Sequence, residues 1–337
     1  MKQVSTQNGP ERPRRWYQNR TIQIVISLGV LALLLSRVRA GDVREFLHRS
    51  HLRYVIALLL IYPSDRAWMA WKWWLLARTK CPELRLVDAI KIYFVSSFVG
   101  LAIPVVSLGP DIVRLGMLKL RHVRTDLAVG SMLIERFIGL VATFLITAMS
   151  LLCAFWLLGA SKFGSNLTVA VVLLVVGAAA SASVLLLGRR SGLQWAGSLV
   201  ERALTRAGLG RHWQAVKSYG DDRPLLAVNL LLAWLEQWFS VVAFYVATRA
   251  FGLDLGFWQC FAIIPVTSIL MRLPVSFGGL GVRDAGVVYM AGLFGVAYAD
   301  ALLVSVSQFV IFVISLLPGA FWYLLERDAA VAAARST

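Results

Sequence analysis

Apolar blocks separated by short basic segments run the length of this chain. The first covers 22–35, and the rest fall at about 53–77, 87–103, 128–158, 167–188, 225–249, 256–273, 285–297 and 300–325. A helical bilayer crossing takes roughly 20 apolar residues, so the pattern predicts an all-α, polytopic membrane protein. Residues 1–20 are polar and carry Lys2, Arg12, Arg14, Arg15 and Arg20, which predicts a disordered cytoplasmic head. That basic flank, the apolar stretch and Val38-Arg39-Ala40 also have the look of a cleavable signal. The many spans that follow favour an uncleaved first helix. The block 53–77 is interrupted by Pro63, Asp65 and Arg66 and resumes with Trp68, Trp71, Trp73 and Trp74. With Lys72, those tryptophans suit an interfacial belt. Residues 189–223 are the longest soluble segment and strongly basic, predicting a cytoplasmic, partly amphipathic helix. The membrane domain then covers 21–326, with a short C-terminal tail at 327–337.

Composition sharpens this picture. The chain is 58% hydrophobic and 15% charged, whereas soluble domains sit near half apolar and a quarter charged. The net charge of +16 lies in segments between apolar runs, as the positive-inside rule expects. No zinc-finger, helix-turn-helix or aromatic RNA-binding pattern accompanies it, so nucleic acid is excluded as a partner. Cys81, Cys153 and Cys260 are scattered, and the four histidines sit in basic connecting segments. Neither set has metal-ligand spacing, and no metal or cofactor is expected. The connecting segments are too short to bury a soluble catalytic core.

Two short segments half a chain apart break the blocks in the same way. Ser-Leu-Gly-Pro-Asp-Ile-Val-Arg ends at Arg114, and Ser-Phe-Gly-Gly-Leu-Gly-Val-Arg ends at Arg283. Ser107 matches Ser276, Gly109 matches Gly278, Val113 matches Val282, and each segment follows a proline, Pro104 or Pro274. An acid recurs upstream as well: Asp65 stands 42 residues before Ser107, and Glu236 stands 40 before Ser276. The pattern predicts two repeats, about 53–158 and 225–325, joined by a span at 167–188. If 87–103 and 256–273 enter the membrane, break and return, the first repeat crosses twice and the joining span once. The second repeat then starts on the opposite face, and the repeats are inverted. This places 37–53, with five arginines, outside when the N-terminus is inside. An interfacial helix there would relieve that conflict.

The motif's residue types say what it is suited to do. Proline ends the incoming helix, and Gly278, Gly279 and Gly281 permit positive φ and close backbone approach. The outgoing helix is predicted to start near Asp111 in one copy and near Val282 in the other, its free amides facing an anion. Ser107 or Ser276 would cap it, and Arg114 or Arg283 would add a planar donor suited to phosphate. Glu135, Arg136, Glu236 and Asp284 also lie within apolar surroundings, where ionisable groups usually face a partner or a cavity. Arg272, just before the second motif, is a further candidate for headgroup contact. The bland alternative is a re-entrant turn with arginines reaching to headgroups, and Glu135-Arg136 neutralising itself. No nucleophile–base pair, Walker loop or dinucleotide fingerprint is present.

Ile-Pro-Val-Val-Ser-Leu-Gly-Pro-Asp-Ile-Val-Arg (103–114), Glu135-Arg136-Phe-Ile-Gly-Leu, and Leu-Pro-Val-Ser-Phe-Gly-Gly-Leu-Gly-Val-Arg-Asp (273–284) resemble the flippase-like transmembrane region of lysylphosphatidylglycerol synthases. The similarity extends to its stand-alone, hopanoid-associated relatives and covers about 20–330. The first copy departs from the family, which usually has Gly-Glu or Gly-Asp before the arginine; here Pro110 intervenes. The resemblance implies movement of a lipid between leaflets. The aminoacyl-transfer domain of the fused synthases is expected to be missing, and with it their synthetic activity.

The reading that follows is a bacterial inner-membrane lipid flippase or transporter with cytoplasmic termini. Anionic or zwitterionic headgroups would be held by Arg114, Arg283 and the broken-helix ends, with the acids tuning charge or carrying protons. Two alternatives stand beside it: a membrane enzyme or enzyme subunit in lipid-linked sugar or hopanoid metabolism, and a scaffold binding a soluble partner through 189–223. Self-association into a homo-oligomer is a further expectation.

Overall fold

A computed structural model of the chain describes residues 29–102, 109–121, 123–159, 177, 218–219, 222–271 and 281–325. Every element within them is an α-helix: α1 (Ala40–His48), α2 (Leu52–Ala77), α3 (Leu86–Ala102), α4 (Gly109–Leu120), α5 (Thr125–Leu158), α6 (Arg223–Ala250), α7 (Phe257–Leu270), α8 (Val282–Leu293) and α9 (Tyr298–Ser315). Helical residues 317–325 extend α9. Among the described residues, Asp126–Leu158, Arg223–Ala250 and Tyr298–Leu325 are long and apolar enough to cross a membrane. At 26 residues, α2 rises about 39 Å, more than a hydrocarbon core needs. Its Asp65, Arg66 and Lys72 interrupt its apolar character. The expected head at 1–20, all but one residue of the span at 167–188, nearly all of the basic segment 189–223 and the tail at 327–337 lie outside the described residues.

Local chemistry sets the helix boundaries. Asp222 accepts a hydrogen bond from the Leu225 amide at 3.1 Å, with Pro224 in the first turn of α6. Asp284 accepts one from the Gly281 amide at 3.0 Å and so starts α8 at Val282, three residues earlier than the hydropathy suggests. Pro110 falls in the first turn of α4, where its missing N–H leaves no intrahelical bond unmade. The departure from the family pattern is therefore compatible with an ordinary helix start. Within α7, Pro265 leaves the Phe261 carbonyl without its usual partner four residues on. The Ser150 hydroxyl of α5 supplies one, donating at 2.7 Å.

The helix directions follow from cross-contacts. The His51 amide donates to the Ala250 carbonyl at 2.7 Å, Trp68 Nε1 to the Leu232 carbonyl at 3.1 Å, and Asn229 Nδ2 to the Lys72 carbonyl at 3.0 Å. α2 and α6 therefore run antiparallel along their length. At one end, Arg49 pairs with Asp300 at 2.7 Å and Cys153 meets the Trp258 carbonyl. This end gathers α1, the starts of α2, α7 and α9, and the finishes of α5 and α6. At the other, Arg121 lies 3.7 Å from Asp88 and Trp74 Nε1 donates to the Leu84 carbonyl at 2.8 Å. The finish of α2, the start of α3 and the finish of α4 therefore share that end, called here the Cys81 end.

The four-helix order repeats: a long helix, two short ones and a long one, from α2 to α5 and from α6 to α9. α5 packs on α7 through Ser150 and Thr147, the latter donating to the Pro265 carbonyl at 3.0 Å. The extension of α9 packs on α3, where Trp322 meets Phe94 edge-on at 5.5 Å. Gly319 lies against that same Phe94: a Cβ there would sit 2.3 Å from its carbonyl oxygen, so only glycine permits the approach. Within 37–53 the chain does form a helix, α1, which packs on the bundle with Phe46 stacked on Phe251 at 4.3 Å.

Candidate functional site

Charged side chains from α2, α4, α5 and α6 converge on one cavity of about 210 Å³, with Tyr93 and Ser96 of α3 in its wall. Asp111 and Arg114 are three apart on α4, so they share a face. Arg114 is 4% exposed and Glu135 of α5 is 6% exposed. Arg114 Nη2 donates to Glu135 Oε2 at 2.8 Å, and its Nη1 lies 3.4 Å from Asp111 Oδ1. The other Asp111 oxygen accepts from Arg136. Glu135 takes a second bond, from the Tyr93 hydroxyl at 2.9 Å.

Aromatic rings complete the setting. The Arg114 guanidinium lies 4.2 Å from the Trp73 ring centroid and 4.6 Å from that of Tyr93, a cation–π arrangement worth most where water is excluded. Trp73 is itself fixed, its Nε1 donating to Ser131 Oγ at 3.1 Å. Across the cavity Lys72 pairs with Glu236 of α6, and Arg66 pairs with Asp65 at 2.6 Å. Four cations (Arg66, Lys72, Arg114, Arg136) thus face four carboxylates (Asp65, Asp111, Glu135, Glu236). Pairing of this kind is what makes buried charge tolerable, because removing one partner strands the other in low dielectric. A charged ligand can enter only by exchanging with partners already in place.

The other motif arginine has its own surroundings. Arg283 Nη2 donates to Asp284 Oδ1 at 2.9 Å and to the Ser305 carbonyl at 2.9 Å, and the Ser305 hydroxyl donates to the same Asp284 oxygen at 2.5 Å. Asp284 is 1% exposed. This cluster joins α8 to α9, and neither Arg283 nor Asp284 lines the Arg114 cavity.

The structure therefore brings together Asp111, Arg114, Glu135, Arg136 and Glu236 around one cavity, whose lining does not include Gly281, Arg283 or Asp284. Ser107, Arg272, Ser276, Gly278 and Gly279 lie outside the described residues. Glu135 goes to Arg114 and Arg136 to Asp111, so each of these neighbours is engaged by α4. Asp65 does pair with its neighbour Arg66. Lys72 and Trp73 correct the interfacial-belt reading of 53–77: both are buried, at 2% and 0% exposed. The available signal was spacing, since Lys72 follows Asp65 by seven residues, two helical turns along one face.

A bundle of apolar helices around a charged, buried cavity defines an integral membrane protein. More narrowly, the chain belongs to the family described as the lysylphosphatidylglycerol synthase transmembrane region, whose model matches residues 20–319. Membership ties it to membrane lipid function. Comparison with curated proteins and with solved structures gives no match.

Proposed function

We propose that this protein moves a lipid between the two leaflets of a bacterial inner membrane, receiving the headgroup in the cavity around Arg114. The observation that carries this reading is the burial of Lys72, Arg114 and Glu135 among helices of spanning length. An ionisable group at the centre of a spanning helix costs about 2.5–3.5 kcal/mol on insertion scales. A chain that gathers several of them around one cavity has a use for charge there. A headgroup phosphate would take the place of a carboxylate at Arg114 or Arg136, and an ammonium on the same headgroup would meet the carboxylate released.

Two inverted repeats would place this cavity between them. In support, α2 and α6 are antiparallel, and Asp65 and Glu236 are each the fourteenth residue of their helix. The α3–α4 pair opens towards the Cys81 end, whereas α7 starts and α9 begins at the opposite one. In orientation, the Cys81 end carries Arg78, Lys80, Arg85, Lys91, Lys119, Arg121 and Arg124 and would face the cytoplasm. The arginines of 37–53 would then be external, where Asp300 and Glu45 lie beside Arg49.

The test is translocation in proteoliposomes of phosphatidylglycerol, phosphatidylethanolamine and phosphatidylcholine carrying a quenchable fluorophore. Wild-type protein should expose at least one of them to external quencher faster than protein-free vesicles, and Arg114→Ala should remove the difference. Wild-type rates equal to those of protein-free vesicles for every lipid would reject the reading.

A further inference from the structure

A second cavity, of about 340 Å³, lies at the α1 end of the bundle, where α2 starts and α6 finishes. We propose that it binds an anionic phosphate group, supplied by a lipid headgroup at the membrane surface or by phosphate in solution. The proposal is independent of lipid movement through the Arg114 cavity and would stand without it.

Charge balance is the first ground. The cavity is lined by His51, Arg53 and Arg249, with Asp254 as its single carboxylate. Arg249 pairs with Asp254 at 3.1 Å, but that carboxylate's side chain is 99% exposed, so solvent screens the pair heavily. Arg53 has no carboxylate partner among the described residues. It rests instead on the ring of Tyr54, its guanidinium 4.7 Å from the centroid and its Nη2 3.3 Å from the hydroxyl. The Arg114 cavity is the opposite case, where cations and carboxylates are matched.

Unused donors are the second ground. The Nε atoms of Arg249 and of the adjoining Arg49 are both buried without a hydrogen-bond partner. Such a donor costs free energy until something accepts from it, and phosphate oxygens suit guanidinium geometry. The backbone points the same way. His51 is the N-cap of α2 and provides no side-chain cap, so the positive end of a 26-residue helix opens beside Arg53. The negative end of α6 is already covered: the Thr248, Arg249 and Ala250 carbonyls accept from Leu253, Gly252 and His51. Gly252, at φ 71°, turns the chain here without adding a side chain to the floor of the cavity.

The experiment uses full-length protein in detergent. Native mass spectrometry is run with phosphatidylglycerol or phosphatidylcholine in mixed micelles, and a separate titration uses inorganic phosphate alone. Wild type should retain phosphatidylglycerol over phosphatidylcholine, or bind inorganic phosphate, and the arm that responds names the source. Arg53→Ala, at an exposed position, should weaken that binding about tenfold, the loss of one charge-assisted contact. Arg53→Lys should restore most of it. Binding unchanged in Arg53→Ala, or no preference for phosphatidylglycerol together with no phosphate binding, would overturn the proposal.

Discussion

Arg114 and Arg283 close two copies of one sequence motif, yet they are held in different ways. Each meets a carboxylate that also accepts a hydroxyl: Tyr93 on Glu135 at 2.9 Å, and Ser305 on Asp284 at 2.5 Å. What differs is reach. The Arg114 partners come from other elements, with Glu135 on α5, Trp73 on α2 and Tyr93 on α3. The principal partner of Arg283 is the next residue in the chain, and the rest comes from α9 alone, where the Ser305 carbonyl and hydroxyl accept from it and the Phe309 ring centroid lies 5.9 Å away. A cluster assembled from several helices is remade when those helices shift, so it suits a ligand that has to be taken up and released. A cluster confined to the adjoining α8 and α9 stays intact as long as those two helices keep their packing. The same motif thus ends in one arginine held from three other helices and one held between two adjoining helices.

The largest expected effect is at the first cluster. Glu135→Ala strands a buried guanidinium and should cost about 3–5 kcal/mol of stability, read as a fall in the unfolding temperature of the purified protein. Replacing both partners, Arg114→Met with Glu135→Leu, should regain most of that, because a buried pair exchanged for apolar residues is often neutral. Lipid movement should stay lost in the double variant. Recovery of movement together with stability would separate the cavity's charge from its proposed role. At the second cluster Asp284→Asn should cost less, about 1.5–3 kcal/mol, since the amide oxygen still accepts and Arg283 keeps the Ser305 carbonyl. Equal losses at Glu135 and Asp284 would erase the distinction drawn here.

Much of the first cluster was legible in the sequence. Charges in apolar blocks are costly enough to need partners, and this picked out Asp111, Arg114, Glu135, Arg136 and Glu236 without a fold. Helix boundaries were legible within a few residues because each block ends in a proline, a glycine or a run of charge. Which charges meet was not legible. That depends on helix rotation and on the antiparallel match of α2 with α6, which residue spacing does not encode. Lys72 shows the limit: among tryptophans it resembles an interfacial lysine, and only the position of Glu236 on α6 turns it inward. The different partners of Arg283 and Arg114 were hidden for a similar reason. The two copies share Ser, Gly, Val and Arg but carry their acids on opposite sides of the arginine, Asp111 before Arg114 and Asp284 after Arg283, and the shared residues gave no sign of which acid would reach which guanidinium.

The smallest effect is the sharpest test of the comparison, because it removes one hydroxyl from each cluster and nothing else. Tyr93→Phe keeps the ring over Arg114 but withdraws the bond to Glu135 Oε1. Ser305→Ala withdraws the bond to Asp284 and the 3.3 Å contact of the same hydroxyl with Arg283, and leaves the Ser305 carbonyl on Arg283. Each should cost about 1.5 kcal/mol of stability, the low end for a bond to a charged group. Their functional consequences should diverge. Without Tyr93 the Glu135 carboxylate has one fewer donor, so it competes more strongly with a headgroup phosphate for Arg114 and lipid movement should slow. Without Ser305 the Arg283 cluster stays closed on itself, and movement should match wild type. Equal slowing in both variants, measured in the same vesicles, would mean that the second arginine also handles the lipid, and the division of labour proposed here would fail.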